Sequence, residues 1–172
     1  MSKVLIVVDM QNDFVTGSLG SKEAQAIVPN VKKKIIEYAD RGDRVIFTRD
    51  THEENYLDTP EGKKLPVKHC INGTAGWQIV PGLEIENCEY VNKPTFGWLQ
   101  WDRFGAQDEI ELIGVCTDIC VISNALILKA KYPEAIISVD ASCCAGVTPE
   151  KHKAALEVMK SCQVDVNGEN GI

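Results

Sequence analysis

A three-layer α/β/α sandwich with a mainly parallel sheet is the fold this sequence predicts, and three observations carry it. Residues 4–8 and 110–115 are nearly unbroken apolar runs, the mark of strands buried on both faces of a parallel sheet. Such runs alternate along the chain with segments of helical period. Reactive side chains stand where the runs stop, at the edge where open α/β sheets bind ligands. The 172 residues suffice for one domain with a substantial core, expected over 1–172.

Residues 4–8 form the first strand and end in Asp9. A turn or helix cap is the bland reading of that carboxylate, although Asp13 suits a cap better. Residues 29–39 set Val31, Ile35, Ile36 and Ala39 on one helical face and Lys32, Lys33, Lys34 and Glu37 on the other. Pro29 fits the first turn of that helix and Gly42 its stop. Residues 45–48 read as a second strand, running into Arg49 and Asp50. The stretch 51–88 is rich in glycine, proline and polar residues, a long irregular connection of the kind that carries function. Residues 89–92 are a third strand leading to Lys93, followed by Phe96, Trp98, Trp101 and Phe104, which serve either core or pocket wall. Residues 110–115 are the fourth strand, 120–131 the helix after a sharp turn, and 135–139 the fifth strand, ending in Asp140. Thr148 caps a last helix with Pro149 in its first position and Ala154, Ala155, Val158 and Met159 on its apolar side. Residues 162–166 read as an edge strand.

The net charge of -7 and the lack of a basic tract argue against nucleic acid as a partner. No apolar run is long enough to span a bilayer, and Met1-Ser2-Lys3 leads straight into the first strand without a small-residue cleavage site, so a cytoplasmic protein with no membrane partner is expected. Seven cysteines, an odd number with no Cys-x-x-Cys, argue against a disulfide framework and against thiolate zinc fingers.

The strand–turn–helix pattern at 112–121 puts Cys120 in the first turn of a helix. Unpaired N–H groups and the helix dipole there favour a thiolate, so this thiol is expected to ionise more readily than a reference cysteine at about 8.5. The competing reading is a buried, inert cysteine. Asp9 and Lys93 end strands at the same sheet edge. A carboxylate there can take the thiol proton and later hand it to a leaving amine, while an ammonium favours both anions; each alone also reads as a surface ion pair. Asp50, His52 and His69 offer one carboxylate and two imidazoles, a set suited to a divalent metal, zinc first and iron or manganese as alternatives. Chance is the rival explanation for two of three histidines in one loop. Glu61 is a candidate fourth ligand or outer partner, and His152 reads as solvent-facing.

In order along the chain, Val-Asp-Met-Gln-Asn-Asp-Phe at 8–14, Thr-Arg-Asp-Thr-His at 48–52, Pro-Val-Lys-His-Cys at 66–70 with Gly73-Thr74 after it, Lys93 before an aromatic loop, and Gly-Val-Cys-Thr-Asp-Ile-Cys-Val at 114–121 together resemble the isochorismatase-like cysteine hydrolases, most closely their nicotinamidase branch. The resemblance covers essentially the whole chain and implies the Rossmann-like sandwich of that family. It implies a triad of Asp9, Lys93 and Cys120, a metal held by Asp50, His52 and His69, and a non-proline cis peptide before Cys116. It further implies an oxyanion hole from the Cys116 and Cys120 N–H groups, and a ring pocket lined by Phe14 and Trp98. The implied activity is conversion of nicotinamide to nicotinate and ammonia through a thioester, in a homo-oligomer acting on a small amide; another amide, a ureido or carbamoyl compound, or a vinyl ether is the alternative substrate. Cys116 departs from the branch, where alanine is usual, and sets a second thiol beside the nucleophile.

Overall fold

The computed structural model describes residues 1–171. Six strands form one sheet, parallel throughout: β1 (Lys3–Val8), β2 (Arg44–Asp50), β3 (Glu89–Lys93), β4 (Glu109–Val115), β5 (Ile136–Ala145) and β6 (Asp165–Asn167), in the order β3-β2-β1-β4-β5-β6. The chain winds outward from β1 in one direction and from β4 in the other, so a crevice opens between their C-terminal ends, where ligands bind in such sheets. Side-chain alternation separates two cores. Val4, Ile6 and Val8 face one side with Leu128 and Leu156, while Leu5 and Val7 face the other with Val31 and Ile35.

The short helix α1 (Asn12–Val15) follows β1, and α2 (Lys22–Asp40) covers one face of the sheet. This helix starts before residue 29, and Pro29 lies inside it. Ser21 caps it by accepting the Ala24 N–H at 3.0 Å. A mid-helix proline costs about 3 kcal/mol, but Ala24, Ile27, Val31, Ile35 and Tyr38 form one buried stripe across it, and packing of that stripe outweighs the missing bond. Pro29 itself is exposed, where the freed carbonyl of the preceding turn can meet water. Ile36, assigned by its spacing to the apolar face, is exposed, and Lys34 from the supposedly solvated run pairs with Glu111 and Asp140 at 2.9 and 2.8 Å.

The 51–88 connection holds only a single turn at Tyr56–Asp58 and α3 (Pro60–Lys64). After β4, an unusually wide helical turn, Thr117–Val121, leads into α4 (Ile122–Lys131), and the Val115–Cys116 peptide is cis. Gly114 makes the approach possible: its φ is +116°, and a Cβ there would lie 2.1 Å from the Val8 carbonyl oxygen. β5 runs past the expected end at residue 139, to Ala145. Asp140 is tolerated inside it because the Ser142 N–H, the Ser142 hydroxyl and Lys34 all reach its carboxylate.

The last helix, α5 (Pro149–Ser161), buries Ala155 and Met159 as expected, but its inward face is centred on Ala155 and Leu156 and leaves Ala154 exposed. Its buried residues are His152, Ala155, Leu156 and Met159, at the i, i+3, i+4, i+7 spacing of one stripe, whereas Val158 is exposed. His152 is therefore buried, not solvent-facing, with its Nδ1 2.6 Å from the Thr117 hydroxyl. No helix among the described residues is long and apolar enough to cross a membrane.

Candidate active site and metal centre

Asp9, Lys93 and Cys120, far apart in sequence, meet at the β1/β4 crevice, and all three are buried. Lys93 Nζ donates to Asp9 Oδ2 at 2.7 Å and to the Thr95 carbonyl at 3.1 Å. Thr48, at the adjacent strand end, donates its hydroxyl to Asp9 Oδ1 at 2.7 Å and accepts the Asp9 N–H at 3.1 Å. These bonds hold Asp9 at a φ of 50°, which a residue with a Cβ rarely adopts. Burial pushes the Asp9 carboxyl up; the Lys93 charge and the hydrogen bonds from Lys93 and Thr48 pull against it. Burial would lower the Lys93 ammonium, but Asp9, Cys120 and Asp50 outweigh it and hold its pKa above the ordinary lysine value.

The expected ease of Cys120 ionisation is not what this environment provides. Burial, then the Asp9 charge, push the thiol well above the ordinary cysteine value, and Lys93 offsets only part of this. The resting group is a thiol beside a carboxylate that can accept its proton. Cys116, half-buried in the same pocket, is pushed up to about 12 by burial and Asp118.

Asp50, His52 and His69 form a second buried cluster, with one ligand atom from each lying within 4.8 Å of the others. The Asp50 Oδ2 atom is 2.9 Å from His52 Nε2 and 3.4 Å from His69 Nε2. His69 Nδ1–H donates to the Val67 carbonyl at 2.8 Å, which turns the other ring nitrogen toward the carboxylate. In the neutral ring that nitrogen is a bare lone pair, so carboxylate and imidazoles converge on a position that asks for a cation. Asp50 Oδ1 and Glu61 Oε2 are buried and make no hydrogen bond among the described residues; Glu61 Oε2 lies 3.2 Å from His52 Nε2, close to it but not hydrogen-bonded. Oxygen and imidazole donors with spare lone pairs fit a divalent metal, and Glu61 stands beside them.

Several positioning residues have roles that neither periodicity nor spacing assigns, although Gln11 and Asp13 lie within the 8–14 motif. Gln11, fully buried, pairs its side-chain amide with both backbone groups of Asp50, donating at 2.9 Å and accepting at 2.8 Å. Asp13 accepts the Cys70 N–H at 2.8 Å and fixes the turn that presents His69. The Tyr56 ring packs on both imidazoles, with centroids 4.7 and 4.8 Å away. Asn124, one turn beyond Cys120, donates to the Cys120 and Phe96 carbonyls and accepts from Trp98 N and Trp101 Nε1. For Asn124 the readable hint is an amide side chain set inside the apolar helical stretch 120–130.

Both clusters open into a cavity of about 700 Å³. Phe14 lines it, as do Cys116 and Cys120. Trp98 does not: it packs against the core beside Trp101, and Phe96 faces the cavity from that loop instead. Spacing could not decide between the two, because Asn124 holds the loop and sets which aromatic turns inward.

Fold and site together define an enzyme of the isochorismatase type, and the chain belongs to that family: residues 3–168 match the isochorismatase domain. Within the family it is similar to the nicotinamidase/pyrazinamidase of Mycobacterium tuberculosis, 29% identical over 184 aligned positions that cover 95% of this chain and 97% of the relative. The nicotinamidase of Schizosaccharomyces pombe is 26% identical, with 96% and 92% covered. Among solved structures, the nicotinamidase/pyrazinamidase PncA from Bacillus subtilis superposes with a TM-score of 0.83 at 28% identity, covering 97% of this chain and 100% of that one. The pyrazinamidase of Pyrococcus horikoshii, solved in complex with zinc, gives a TM-score of 0.80 at 26% identity, covering 96% and 98%.

Proposed function

We propose that this protein is a metal-dependent cysteine amidohydrolase that converts nicotinamide to nicotinate and ammonia. The observation that carries the reading is the buried Lys93–Asp9 pair beside the Cys120 thiol, in the same cavity as the Asp50, His52 and His69 cluster. Full-length likeness to relatives named nicotinamidase supports it.

Asp9 takes the Cys120 proton as sulfur attacks the amide carbonyl. The N–H groups of Cys116 and Cys120 receive the oxyanion. Asp9 returns the proton to nitrogen, the C–N bond breaks and ammonia leaves. A carboxyl whose pKa is raised by burial is suited to carrying that proton. Water, deprotonated by Asp9, then opens the thioester and restores the thiol. Lys93 keeps Asp9 ionised at the start of each cycle. Asp50, His52 and His69 would hold the divalent metal, zinc as first choice, which when bound supplies a Lewis-acidic position for the lone pair of the pyridine nitrogen. Phe14 and Phe96 flank the ring. The reading includes a cytoplasmic location and a homo-oligomer built over exposed apolar residues such as Leu99.

The test is release of nicotinate and ammonia from nicotinamide by the metal-loaded protein. Turnover that disappears in Cys120→Ala with metal content unchanged is expected. A metal-loaded protein that leaves nicotinamide intact, or a Cys120→Ala variant as active as the wild type, overturns the reading.

A further inference from the structure

We propose that the cavity continues beyond Cys120 as an apolar leaving-group pocket, and that the enzyme therefore also cleaves secondary nicotinoyl amides bearing an apolar substituent on nitrogen, releasing the amine. This inference rests on the nicotinoyl reading above.

Size is the first argument. A cavity of about 150 Å³ holds a benzene-sized ring, and this one, at about 700 Å³, is several-fold larger. Its extent along the sheet is the second. The walls run from Asp50 at the end of β2, through Cys116 and Cys120 after β4, to Ala145, Gly146 and Val147 at and beyond the end of β5. With the order β2-β1-β4-β5, that is three strand spacings, or about 14 Å. A six-membered ring with one carboxamide spans only about two such spacings.

Wall chemistry is the third argument. Asp50 and His69 of the metal cluster, with Glu61, line the β2 side of the cavity. On the β5 side the walls are Ile119, Ala145, Gly146 and Val147, with Ser21 and Ala24 from the start of α2, which flanks the end of β5. None of these carries a charge, and the one side-chain hydroxyl, that of Ser21, is engaged as the helix cap by accepting the Ala24 N–H at 3.0 Å. Val147 is 47% exposed, so this end opens to water. An acyl ring held toward Asp50 and His69 directs the other substituent of its carbonyl toward these residues. A primary amide places only NH₂ there; the room suits a short alkyl or benzyl group.

The chemistry balances as for the primary amide. Cys120 sulfur bonds to the carbonyl carbon, the C–N bond breaks, and the thiol proton passes through Asp9 to nitrogen, which leaves as a primary amine. Water then cleaves the thioester to nicotinate and the free thiol.

The experiment compares nicotinamide with N-methyl-, N-propyl- and N-benzylnicotinamide on the metal-loaded protein, measuring nicotinate and amine together. Nicotinate is expected from all four, with kcat/KM for the N-propyl amide within about tenfold of nicotinamide. Val147→Trp, a change at a half-exposed position, is expected to lower kcat/KM for the N-propyl amide at least about tenfold while nicotinamide stays within about twofold. Hydrolysis of nicotinamide with no nicotinate from the N-alkyl amides overturns the pocket and leaves the primary-amide reading intact. A Val147→Trp variant that treats both substrates alike also overturns the pocket. Failure of all four substrates overturns the nicotinoyl reading, and the pocket assignment falls with it.

Discussion

Lys93 Nζ lies 2.7 Å from Asp9 Oδ2, and neither side chain is exposed at all. Opposite charges buried without water depend on each other, and removing one partner of such a pair costs about 3–5 kcal/mol. Lys93→Met is expected to destabilise the fold by that order and to abolish turnover, because burial, no longer opposed by the Lys93 charge, raises the Asp9 carboxyl further and leaves less of it ionised to accept the thiol proton. Adding Asp9→Asn should recover part of the stability and none of the activity. Urea unfolding of the single and double variants checks this, and additive losses would refute the coupling.

Asn124 ties the turn that carries Cys120 to the aromatic loop through four hydrogen bonds. Asn124→Ala leaves the Trp101 indole N–H and the Cys120 carbonyl without this partner, at about 1–3 kcal/mol for a buried unsatisfied group. KM for nicotinamide should rise as Phe96 loses its position, and Asn124→Asp should restore the acceptor for Trp98 and Trp101 but not the donor to Cys120. Steady-state kinetics with thermal unfolding separates the two effects. An unchanged KM in Asn124→Ala would mean that Phe96 is held otherwise.

His152 gives the fold a pH dependence whose sign follows from its burial. Burial lowers its pKa, against the raising charges of Asp118 and Glu169. Unfolded, the imidazole titrates at about 6.5, so in the window below that value the unfolded chain binds more protons than the folded one. Its contribution to stability is therefore complete above the unfolded pKa and is lost as pH falls through the folded pKa. His152→Gln should cost about 1 kcal/mol at pH 8 through the weakened contact with Thr117, and the gap from wild type should narrow toward pH 5. Urea midpoints at the two pH values provide the check; a constant gap would contradict it.

The Asp50, His52 and His69 cluster should report metal as stability as well as activity. A ligand at a hundredfold its Kd that binds only the folded state stabilises it by about 2.7 kcal/mol. Zinc, manganese and iron(II) added in turn to chelator-treated protein should each raise the unfolding temperature according to affinity. His69→Ala should remove the shift while leaving the Lys93–Asp9 pair in place. An identical shift in wild type and His69→Ala would show that metal binds elsewhere.

Apolar periodicity alone determined that the chain folds around a parallel sheet, because strands buried on both faces must be apolar throughout, as residues 4–8 and 110–115 are. The motifs also marked which reactive groups stand at strand ends, since a strand's end is a local property. Periodicity misjudged Pro29, Ile36 and His152, whose environments depend on which helical face meets the sheet, and burial of the whole α2 stripe overrode the local preference of one proline. Tertiary structure decided the direction in which the Cys120 pKa moves: the helical turn favours a thiolate, but desolvation and the Asp9 charge, set by three strands converging, outweigh it and push the thiol up. It also decided that Phe96 and not Trp98 faces the cavity, and that the cavity runs past the nucleophile toward β5. Such properties belong to pairs of residues distant along the chain, and only packing brings those pairs into the same low-dielectric space.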